Sequence, residues 1–387
     1  MPKVLQVGRY FPPHVGGVET LVYNLTHGLN SRGIHCDVLC SNKDAVYKLD
    51  QFDRFKVHRT RSYGQVLSVS VTPQLISKFR KISSQYDIVH LHHPDPVATL
   101  ALFMAKPSCK VVVHWHSDIL RQKIPLILFK PLQSWMLRRA DAIIATSPNY
   151  AMGSAHLAPF RKKVTVIPIG IEPLHGNANG KESRIGKTWA GKKKVVFSLG
   201  RLVYYKGFEQ LIDAASFLDD SYVVLIGGTG PLRKRLQNRI NTRGLSEKVI
   251  LLGEIPPGEL ADYYDLADVF CLPSTYKTEA FGIVLLEAMS FGKPLVTTDL
   301  PDSGISWVNR NHITGLTVPP NDALKLAQAI KTIASDEGLA RQFSTAARER
   351  FYEKFTSNAM VESTIKLYSS IMGAEKKREF VPNRSAT

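Results

Sequence analysis

The residues best suited to chemistry lie in the segment Ser274–Met289, STYKTEAFGIVLLEAM. Within it, Glu279 and Glu287 stand eight positions apart, and a helical pattern begins at Gly282 directly after the strand-like run VFCLP. Amides at the start of a helix attract anions, and the helix dipole strengthens this attraction. The predicted anion site consists of the amides of Phe281, Gly282, Ile283 and Val284. Glu279 is placed to accept hydrogen bonds from a sugar, and Glu287 to reach another part of an elongated ligand; a capping Glu and a surface Glu are the simpler interpretation.

Two cations follow the first strand of the second half of the chain, Arg201 and Lys206 in SLGRLVYYKGF. A planar guanidinium and a mobile ammonium suit a diphosphate, although two solvated loop cations remain the alternative. The chain has no Asp-x-Asp, the acidic pair that often holds a divalent ion on a nucleotide-sugar. A departing diphosphate would then be neutralised by these cations and the helix amides, and no metal or cofactor is expected.

In the first half, Gly16 and Gly17 follow the first strand, where glycine allows the backbone to approach a ligand; a plain turn explains them equally well. Further on, alternation along a strand puts His114 and His116 of HWHSD on one side. At the strand end, His116 is a candidate to bind a sugar or orient a reacting group, with Asp118 holding its tautomer. A structural histidine is the other interpretation.

Three more histidines, His90, His92 and His93, suggest a metal. Clustering on one strand offers no third ligand on the same face from a helix, so no metal site is expected there.

Short apolar, β-branched runs alternate with helical-period segments along the chain, which is typical of parallel α/β sheets. Strands are predicted at Val4–Val7, Cys36–Cys40, Ile88–His92, Val111–Trp115, Ala142–Thr146, Val164–Pro168, Val195–Leu199, Tyr222–Ile226, Val249–Leu252, Val269–Leu272, Pro294–Thr297 and Gly315–Val318. Helices are predicted at 207–218, 230–243, 282–291, 322–335 and 357–372.

The predicted fold class is α/β, with two doubly wound Rossmann-like domains facing across a cleft. The expected boundaries are a first domain at 1–172, a linker at 173–194, a second domain at 195–356, a helix returning to the first domain at 357–374, and a flexible tail at 375–387. Ligands of such sheets bind beyond the carboxyl ends of the strands, which is where the candidate residues lie.

The charge is unusually basic, with a formal net charge of +17 over 387 residues. Residues 1–175 hold 22 basic and 10 acidic residues, so most of the excess lies in the first half. Such a surface attracts nucleic acid, anionic membranes or phosphorylated substrates. Nucleic acid is disfavoured because the sequence lacks aromatics clustered on a basic sheet and a recognisable reading helix. No GxGxxG follows the first strand, which disfavours a nicotinamide dehydrogenase.

Location is constrained by what the sequence lacks. It has no run of about 18 apolar residues, no signal-peptide pattern at its start and only four scattered cysteines. These features predict a cytoplasmic protein. The stretch Leu120–Ala140 mixes five basic residues with apolar ones and Trp135, which favours docking on an anionic membrane. Helix packing against the first sheet is the alternative, and Pro125 and Pro131 are expected to break a single long helix.

These motifs together resemble the family 4 retaining glycosyltransferases of the B-type, two-domain fold. The resemblance rests on Gly16–Gly17, His116, GRLVYYKG, GGTGPL at 227–232 and Glu279 with Glu287, and it covers nearly the whole chain. The wording of EAFGIVLLEAM and SGISWVNRNHITGLTVPPND is most similar to bacterial polysaccharide mannosyltransferases.

The resemblance implies a role for each matching residue. Arg201 and Lys206 would bind the donor diphosphate, Glu279 the donor sugar and the charge developing near its anomeric carbon, and Glu287 the ribose hydroxyls. The amides of Phe281–Val284 would touch sugar and phosphate. Gly16, Gly17 and His116 would belong to the acceptor-side domain that closes over the donor, so that Gly16 and Gly17 also meet the donor. Asp118, two residues after His116, is expected on the same acceptor side.

The expected reaction is hexosyl transfer with retention, without a metal, from a nucleotide-sugar to a lipid-linked or polysaccharide acceptor on the cytoplasmic face of the inner membrane. GDP-mannose is the preferred donor, and UDP-sugars are the alternative. A nucleotide-sugar epimerase and a basic nucleic-acid-binding protein are more distant alternatives.

Overall fold

The computed structural model describes residues 1–14, 16–66, 69–119, 123–174 and 193–378. Contacts within the chain divide it into two compact units. The first unit contains Met1–Thr146, Ser154–Gly170 and the chain from Ser357 onward; the second contains Ser147–Gly153 and Ile171–Thr356. Most of the predicted linker, 175–192, lies outside the described residues.

The first unit is built on an eight-stranded sheet. Its strands are β1 Val4–Val7, β2 Cys36–Ser41, β3 Lys48–Gln51, β4 Lys56–Thr60, β7 Ile88–His93, β8 Lys110–Trp115, β9 Ala142–Ala145 and β10 Val164–Val166. Their order in the sheet is β10-β9-β8-β7-β1-β2-β4-β3. All neighbouring pairs are parallel except β3 with β4. A separate hairpin pairs β5 Gln65–Val66 with β6 Val69–Ser70.

The helices of the first unit are α1 Gly17–Ser31, α2 Pro73–Ile82, α3 Pro96–Ala105, α4 Lys123–Arg139 and the last helix of the chain, α13 Ser357–Arg378. The expectation that Pro125 and Pro131 break the α4 stretch is wrong, because α4 is one helix with Pro131 inside it. Pro125 lies in the first turn, where amides have no intrahelical partner to lose. Pro131 removes one hydrogen bond and does not end the helix.

The second unit has a six-stranded parallel sheet. Its strands are β11 Lys194–Leu199, β12 Tyr222–Gly227, β13 Val249–Gly253, β14 Val269–Leu272, β15 Leu295–Thr298 and β16 Gly315–Val318. Their order in the sheet is β13-β12-β11-β14-β15-β16. Its helices are α5 Pro148–Gly153, α6 Phe208–Ala215, α7 Arg233–Thr242, α8 Pro257–Leu266, α9 Ile283–Ser290, α10 Ile305–Val308, α11 Ala323–Ser335 and α12 Glu337–Lys354.

Apolar strands explain the core of the second unit. Val224 and Ile226 of β12 are fully buried and belong to one cluster with Leu211 of α6 and Ile330 of α11. Because both faces of a parallel sheet are covered by helices, its strands are near-continuous apolar runs. Each predicted strand of both units is present, with ends that differ by at most two residues.

Both sheets have a switch point, where the strand order reverses. It lies between β11 and β14 in the second unit and between β1 and β7 in the first. Open α/β sheets bind ligands at the carboxyl ends of the strands beside such a point. The loops after these four strands are therefore where a binding site is expected in each unit.

Candidate active site

The loops after β11 and β14 meet through an ion pair at the switch point of the second unit. Lys206 Nζ lies 2.6 Å from Glu279 Oε2, and each side chain is only about one-tenth exposed. Gly207, which follows Lys206, has a φ of 69°, and a Cβ there would collide with the carbonyl oxygen of Pro273. Only glycine fits this left-handed, closely packed position, so the sequence Lys-Gly holds the two loops together.

The loop after β14 holds Glu279 at several points. Ser274 Oγ donates a hydrogen bond of 3.3 Å to Glu279 Oε2, and Ser303 Oγ donates one to the Glu279 carbonyl. The Gly304 amide donates to Ala280 O over 2.8 Å. The sequence interpretation assigned no role to either serine. Ser303 could not be found locally, because it bonds to a backbone carbonyl 24 residues away.

Arg201 stands in the same loop as Lys206 but is exposed. Among the described residues its guanidinium has no hydrogen bond or ion pair, although its carbonyl oxygen accepts a hydrogen bond from the Val203 amide. Tyr205 lies within electrostatic range of Glu279 and Arg201: burial and Glu279 raise the pKa of this tyrosine to about 12, and Arg201 opposes them. The loop thus presents one free guanidinium close to the Lys206–Glu279 pair.

Helix α9 begins beside this pair. Its N-cap is Gly282, with a φ of 80° and no side-chain cap. Within the described ranges, none of the amides of Phe281, Gly282, Ile283 and Val284 has a hydrogen-bond partner. Uncapped amides, the helix dipole and Arg201 therefore form a locally positive region suited to an anion.

Glu287, the second glutamate of the motif, is bound to a different group. Its Oε2 accepts a hydrogen bond of 2.6 Å from the Tyr264 hydroxyl. Burial raises the pKa of Glu287, while the Tyr264 hydroxyl and the charge of Lys206 lower it. The eight-residue spacing thus gives Glu279 and Glu287 different partners, Lys206 and Tyr264.

The loop after β12, the GGTGPL segment, packs against the GRL loop after β11. The Gly200 amide donates to Gly227 O over 3.1 Å, and the Leu202 amide donates to Thr229 O over 2.8 Å. These bonds connect a third loop to the same edge of the sheet. The motifs of the second unit therefore converge.

In the first unit, four histidines stack on one face of β7 and β8. They are His90, His92, His114 and His116. The rings of His114 and His116 lie 4.3 Å apart between centroids, which confirms that they share a side of the strand. Burial lowers the pKa of His116 to about 3, so this ring is neutral at physiological pH.

A metal is the first alternative to test against this stack. His90, His92 and His114 offer nitrogens that all lie within 4.8 Å of one another. The expectation of no third ligand considered helices and missed the neighbouring strand, which supplies His114. Nevertheless, the His90 and His92 rings are nearly parallel, at 5°, so their in-plane lone pairs do not converge. His92 also uses both nitrogens in hydrogen bonds, to His116 and Gln6.

The prediction that Asp118 holds the His116 tautomer is wrong. Asp118 Oδ1 instead accepts hydrogen bonds from Trp115 Nε1 at 2.9 Å and Ser154 Oγ at 2.8 Å. The partner of His116 is His92, at 2.9 Å between Nε2 and Nδ1. The Trp115 side chain lies on the opposite face of β8 from His116, since alternate side chains of a strand face opposite ways. Asp118 is therefore bonded on that other face.

Gly16 and Gly17 lie where α1 begins, Gly16 as its N-cap and Gly17 as its first residue. Gly16 has a φ of 175°, which is ordinary extended backbone. A Cβ on Gly16 would collide with the Glu19 carboxylate. Gly16 therefore allows the Glu19 carboxylate to approach the backbone closely at the start of α1, and the predicted ligand role of Gly16 and Gly17 stays a prediction.

Two Rossmann-like units, each with candidate residues at its switch point, define the GT-B fold of glycosyltransferases. Residues 15–173 match the family described as Glycosyltransferase Family 4, and residues 180–350 match that described as Glycosyl transferases group 1. The chain therefore belongs to the glycosyltransferase family that combines these two domains.

Two curated relatives extend over nearly the whole chain. It is 31% identical over 371 residues to the O-antigen chain mannosyltransferase C of Escherichia coli, covering 96% of this chain and 99% of the relative. It is 33% identical over 350 residues to the D-rhamnosyltransferase WbpZ of Pseudomonas aeruginosa, covering 90% of each.

Among solved structures, Anabaena HepE in complex with UDP-glucose superposes with a TM-score of 0.77 at 20% identity, covering 96% of this chain and 100% of the other. At this identity the similarity concerns the fold.

Proposed function

We propose that this glycosyltransferase moves a mannosyl group from GDP-mannose to a growing cell-surface polysaccharide or its lipid-linked precursor. The observation that carries the proposal is the Lys206–Glu279 pair beside the uncapped start of α9. Such a site suits a diphosphate next to a sugar. The mannosyl choice is supported by the similarity to an O-antigen mannosyltransferase, while a rhamnosyltransferase relative makes another hexosyl group the main competitor.

In the proposed reaction, Arg201 and Lys206 neutralise the departing diphosphate, and the amides from Phe281 to Val284 bind phosphate and sugar. Glu279 binds sugar hydroxyls and stabilises positive charge at the anomeric carbon; Glu287 binds the ribose. The bond from the anomeric carbon to the diphosphate oxygen breaks, and its electron pair leaves with the nucleoside diphosphate. The acceptor oxygen bonds to that carbon on the same face, with its proton passing to the departing phosphate oxygen.

Retention of configuration follows from family membership in this proposal. His116, Gly16, Gly17 and Asp118 are assigned to the acceptor side, in the first unit. Asp118 acts there through Trp115 and Ser154, so its proposed role is to position the end of β8.

Nucleotide preference is the first test. Purified protein is melted with GDP, UDP, ADP or TDP, and release of nucleoside diphosphate from GDP-mannose and UDP-glucose is measured with acceptor present. A selective nucleotide at 100 times its Kd adds about 2.7 kcal/mol of stability. Stabilisation by GDP alone supports the proposal. Stabilisation by UDP keeps the chemistry and overturns the donor, and a product formed without any acceptor would indicate an epimerase.

We propose that transfer needs no metal, since cations and amides of the second unit can carry the diphosphate charge. Activity is measured in EDTA and in added magnesium, and the protein is assayed for bound metal. Equal rates and a metal-free protein are expected. A stoichiometric metal whose removal stops turnover would overturn this, and the histidine stack would be the place to look.

We propose that the enzyme binds the cytoplasmic face of an anionic membrane through a surface on α3 and α4. No helix among the described residues is long and apolar enough to cross a bilayer. Leu100, Phe103 and Met104 of α3 are exposed, and Phe103 contacts the Trp135 ring of α4, with centroids 4.9 Å apart. Exposed basic residues accompany them, namely Lys106, Lys130 and Arg138. Apolar side chains bordered by cations favour an anionic interface.

Sedimentation with vesicles tests this surface. We expect binding to vesicles with anionic lipid, and its loss in Phe103→Ser combined with Met104→Ser. Tyr352→Ser, which changes an exposed aromatic of the second unit, is the matched control. Equal binding to neutral vesicles would remove the electrostatic part of the proposal, and unchanged binding by the double variant would exclude this surface.

A further inference from the structure

A chain of hydrogen bonds crosses three adjacent strands of the first unit and ends at His116. Gln6 of β1 accepts at Oε1, 2.6 Å from His92 Nε2, and His92 Nδ1 lies 2.9 Å from His116 Nε2. All three side chains are buried, with exposures of 0%, 2% and 7%. The sheet sets this alignment, because β7 lies between β1 and β8.

The chain fixes where each proton lies. A carbonyl oxygen only accepts hydrogen bonds, so Gln6 Oε1 requires a proton on His92 Nε2. A neutral imidazole carries one proton, so His92 Nδ1 is an acceptor and His116 Nε2 must hold the proton. The pKa of His92 and the pKa of His116 are both lowered by burial, so both rings stay neutral. Nδ1 of His116 is then a bare lone pair.

The orientation of the Gln6 amide decides this direction, because a reversed amide would reverse every proton in the chain. In the structure the amide oxygen faces His92, with Oε1 lying 2.6 Å from Nε2. The amide nitrogen is buried and has no hydrogen-bond partner among the described residues.

The lone pair on His116 Nδ1 accepts no hydrogen bond from the described residues. Nδ1 of His116 is buried and has no hydrogen-bond partner in the described part of the chain. Leaving a buried polar atom without a hydrogen-bond partner is unfavourable. His116 lies just beyond the carboxyl end of β8, at the edge of the sheet where ligands bind. An acceptor atom left unpaired there is available to a hydroxyl group.

We propose that Gln6 is a positioning residue that acts through His92, holding His116 in the tautomer whose Nδ1 accepts a hydrogen bond from a substrate hydroxyl. The substrate part rests on the proposed function, whereas the tautomer does not. In this role His116 orients a hydroxyl as a neutral acceptor and is not an acid. His92, usually read as a core residue of a buried strand, transmits the orientation.

The tautomer is measured directly on wild-type protein. Long-range proton–nitrogen NMR on ¹⁵N-histidine-labelled enzyme distinguishes a ring protonated at Nδ1 from one protonated at Nε2, and His116→Gln assigns the signal. The expected result is a proton on Nε2 of both His116 and His92. A proton on Nδ1 of His116 overturns the proposal, whether or not the enzyme is active.

Gln6→Met removes the acceptor while keeping the volume. We expect His116 to become a mixture of tautomers and kcat for hexosyl transfer to fall about 10- to 100-fold, as when a partner that orients an imidazole is lost, with the donor KM nearly unchanged. Gln133→Met is the matched control. Gln133 is also buried and bonded to a histidine, but that residue, His156, takes no part in the Gln6–His92–His116 hydrogen bonds. It should leave the His116 tautomer and kcat unchanged.

The outcomes distinguish failure of the positioning role of Gln6 from failure of the proposed function. An unchanged His116 tautomer in Gln6→Met overturns the positioning role, as does a shifted tautomer with full kcat. Should Gln6→Met fail to fold, the wild-type spectrum still decides. A wild-type enzyme that holds the expected tautomer but transfers no sugar from any nucleotide donor contradicts the proposed function alone.

Discussion

Lys206 and Arg201 lie in one loop, but one is buried and the other exposed. Substituting each in turn therefore distinguishes an effect on catalysis from an effect on folding stability. Lys206 is nearly buried and paired with Glu279, whereas Arg201 is exposed. Removing one partner of a buried pair leaves an uncompensated charge, while an exposed cation contributes little to folding. Substitution of the two cations should therefore affect stability differently, even though both are proposed to bind the diphosphate.

We predict that Arg201→Ala and Lys206→Ala each lower kcat about 100-fold or more, since one lost donor to a developing charge costs about 3 kcal/mol of barrier. Only Lys206→Ala should also lower Tm. Steady-state transfer and thermal melts provide the measurements, with Arg235→Ala as the control, an exposed cation paired with Glu209 on the surface. Unaltered transfer by both variants would refute the assignment of the diphosphate site.

The pairing of Glu287 with Tyr264 gives a second residue-level prediction. Tyr264→Phe removes the 2.6 Å hydrogen bond to Glu287 Oε2, so the pKa of Glu287 should rise further and its position loosen. Because Glu287 is proposed to bind the ribose, the KM for the donor should increase severalfold with a smaller change in kcat. Tyr352→Phe, at an exposed position, is the control. An unchanged KM for the donor would contradict the proposal that Glu287 binds the ribose.

At the scale of elements, the sequence predicted the apolar strands of both sheets because each is a short apolar run, and most of these runs are buried in the structure. Strands β3 and β4 were missed, since KLDQ and KVHRT carry charges that usually mark loops. In the structure Arg59 of β4 is buried, and it is satisfied by Asp50 Oδ2 at 2.6 Å and Phe11 O at 3.0 Å. Those partners come from other segments, so no local pattern announces the strand.

The candidate site was predictable to the same extent. Residues after strands could be assigned to one sheet edge, which the Lys206–Glu279 contact confirms. The serine contacts to the Glu279 loop and the His92–His116 bond depend on side-chain geometry across strands. Asp118 shows the limit, because its partners Trp115 and Ser154 were decided by tertiary packing and not by its distance from His116 in sequence.

The contact between the loops after β11 and β14 predicts an effect of Gly207→Ala. An added methyl would collide with the Pro273 carbonyl, so both the stability and the placement of Lys206 should suffer. Gly244→Ala is the matched control, because Gly244 also has a positive φ, 66°, but a Cβ there meets no atom of the described residues within 4 Å. Gly244→Ala measures the strain of a left-handed backbone alone, about 1–2 kcal/mol.

Thermal melts and the donor KM of the two glycine variants test whether the contact between the two loops organises the site. Gly207→Ala should lose clearly more stability than Gly244→Ala and should bind the donor more weakly. Equal losses in the two variants, with donor binding intact in both, would mean that the loop contact does not organise the site.

For the whole molecule, the buried histidines make stability depend on pH. Burial lowers the pKa of each of five neighbouring histidines, namely His90, His92, His93, His114 and His116. In the unfolded chain these rings take up protons below about pH 6.5, whereas in the folded chain they stay neutral. The unfolded state therefore binds more protons, and stability present above pH 6.5 is lost as the pH falls.

We predict that the free energy of unfolding declines steeply between pH 6.5 and pH 5, by up to about 1.4 kcal/mol per pH unit for each histidine. Urea unfolding at pH 7.5, 6.5 and 5.5 measures it. His114→Leu removes one ring whose nitrogens have no hydrogen-bond partner among the described residues, so its decline should be shallower than that of the wild type. His312→Asn, at an exposed left-handed position that asparagine tolerates, should decline like the wild type. A flat profile would mean that the stack is already charged or solvated, which would also remove the neutral His116 on which the proposed tautomer depends.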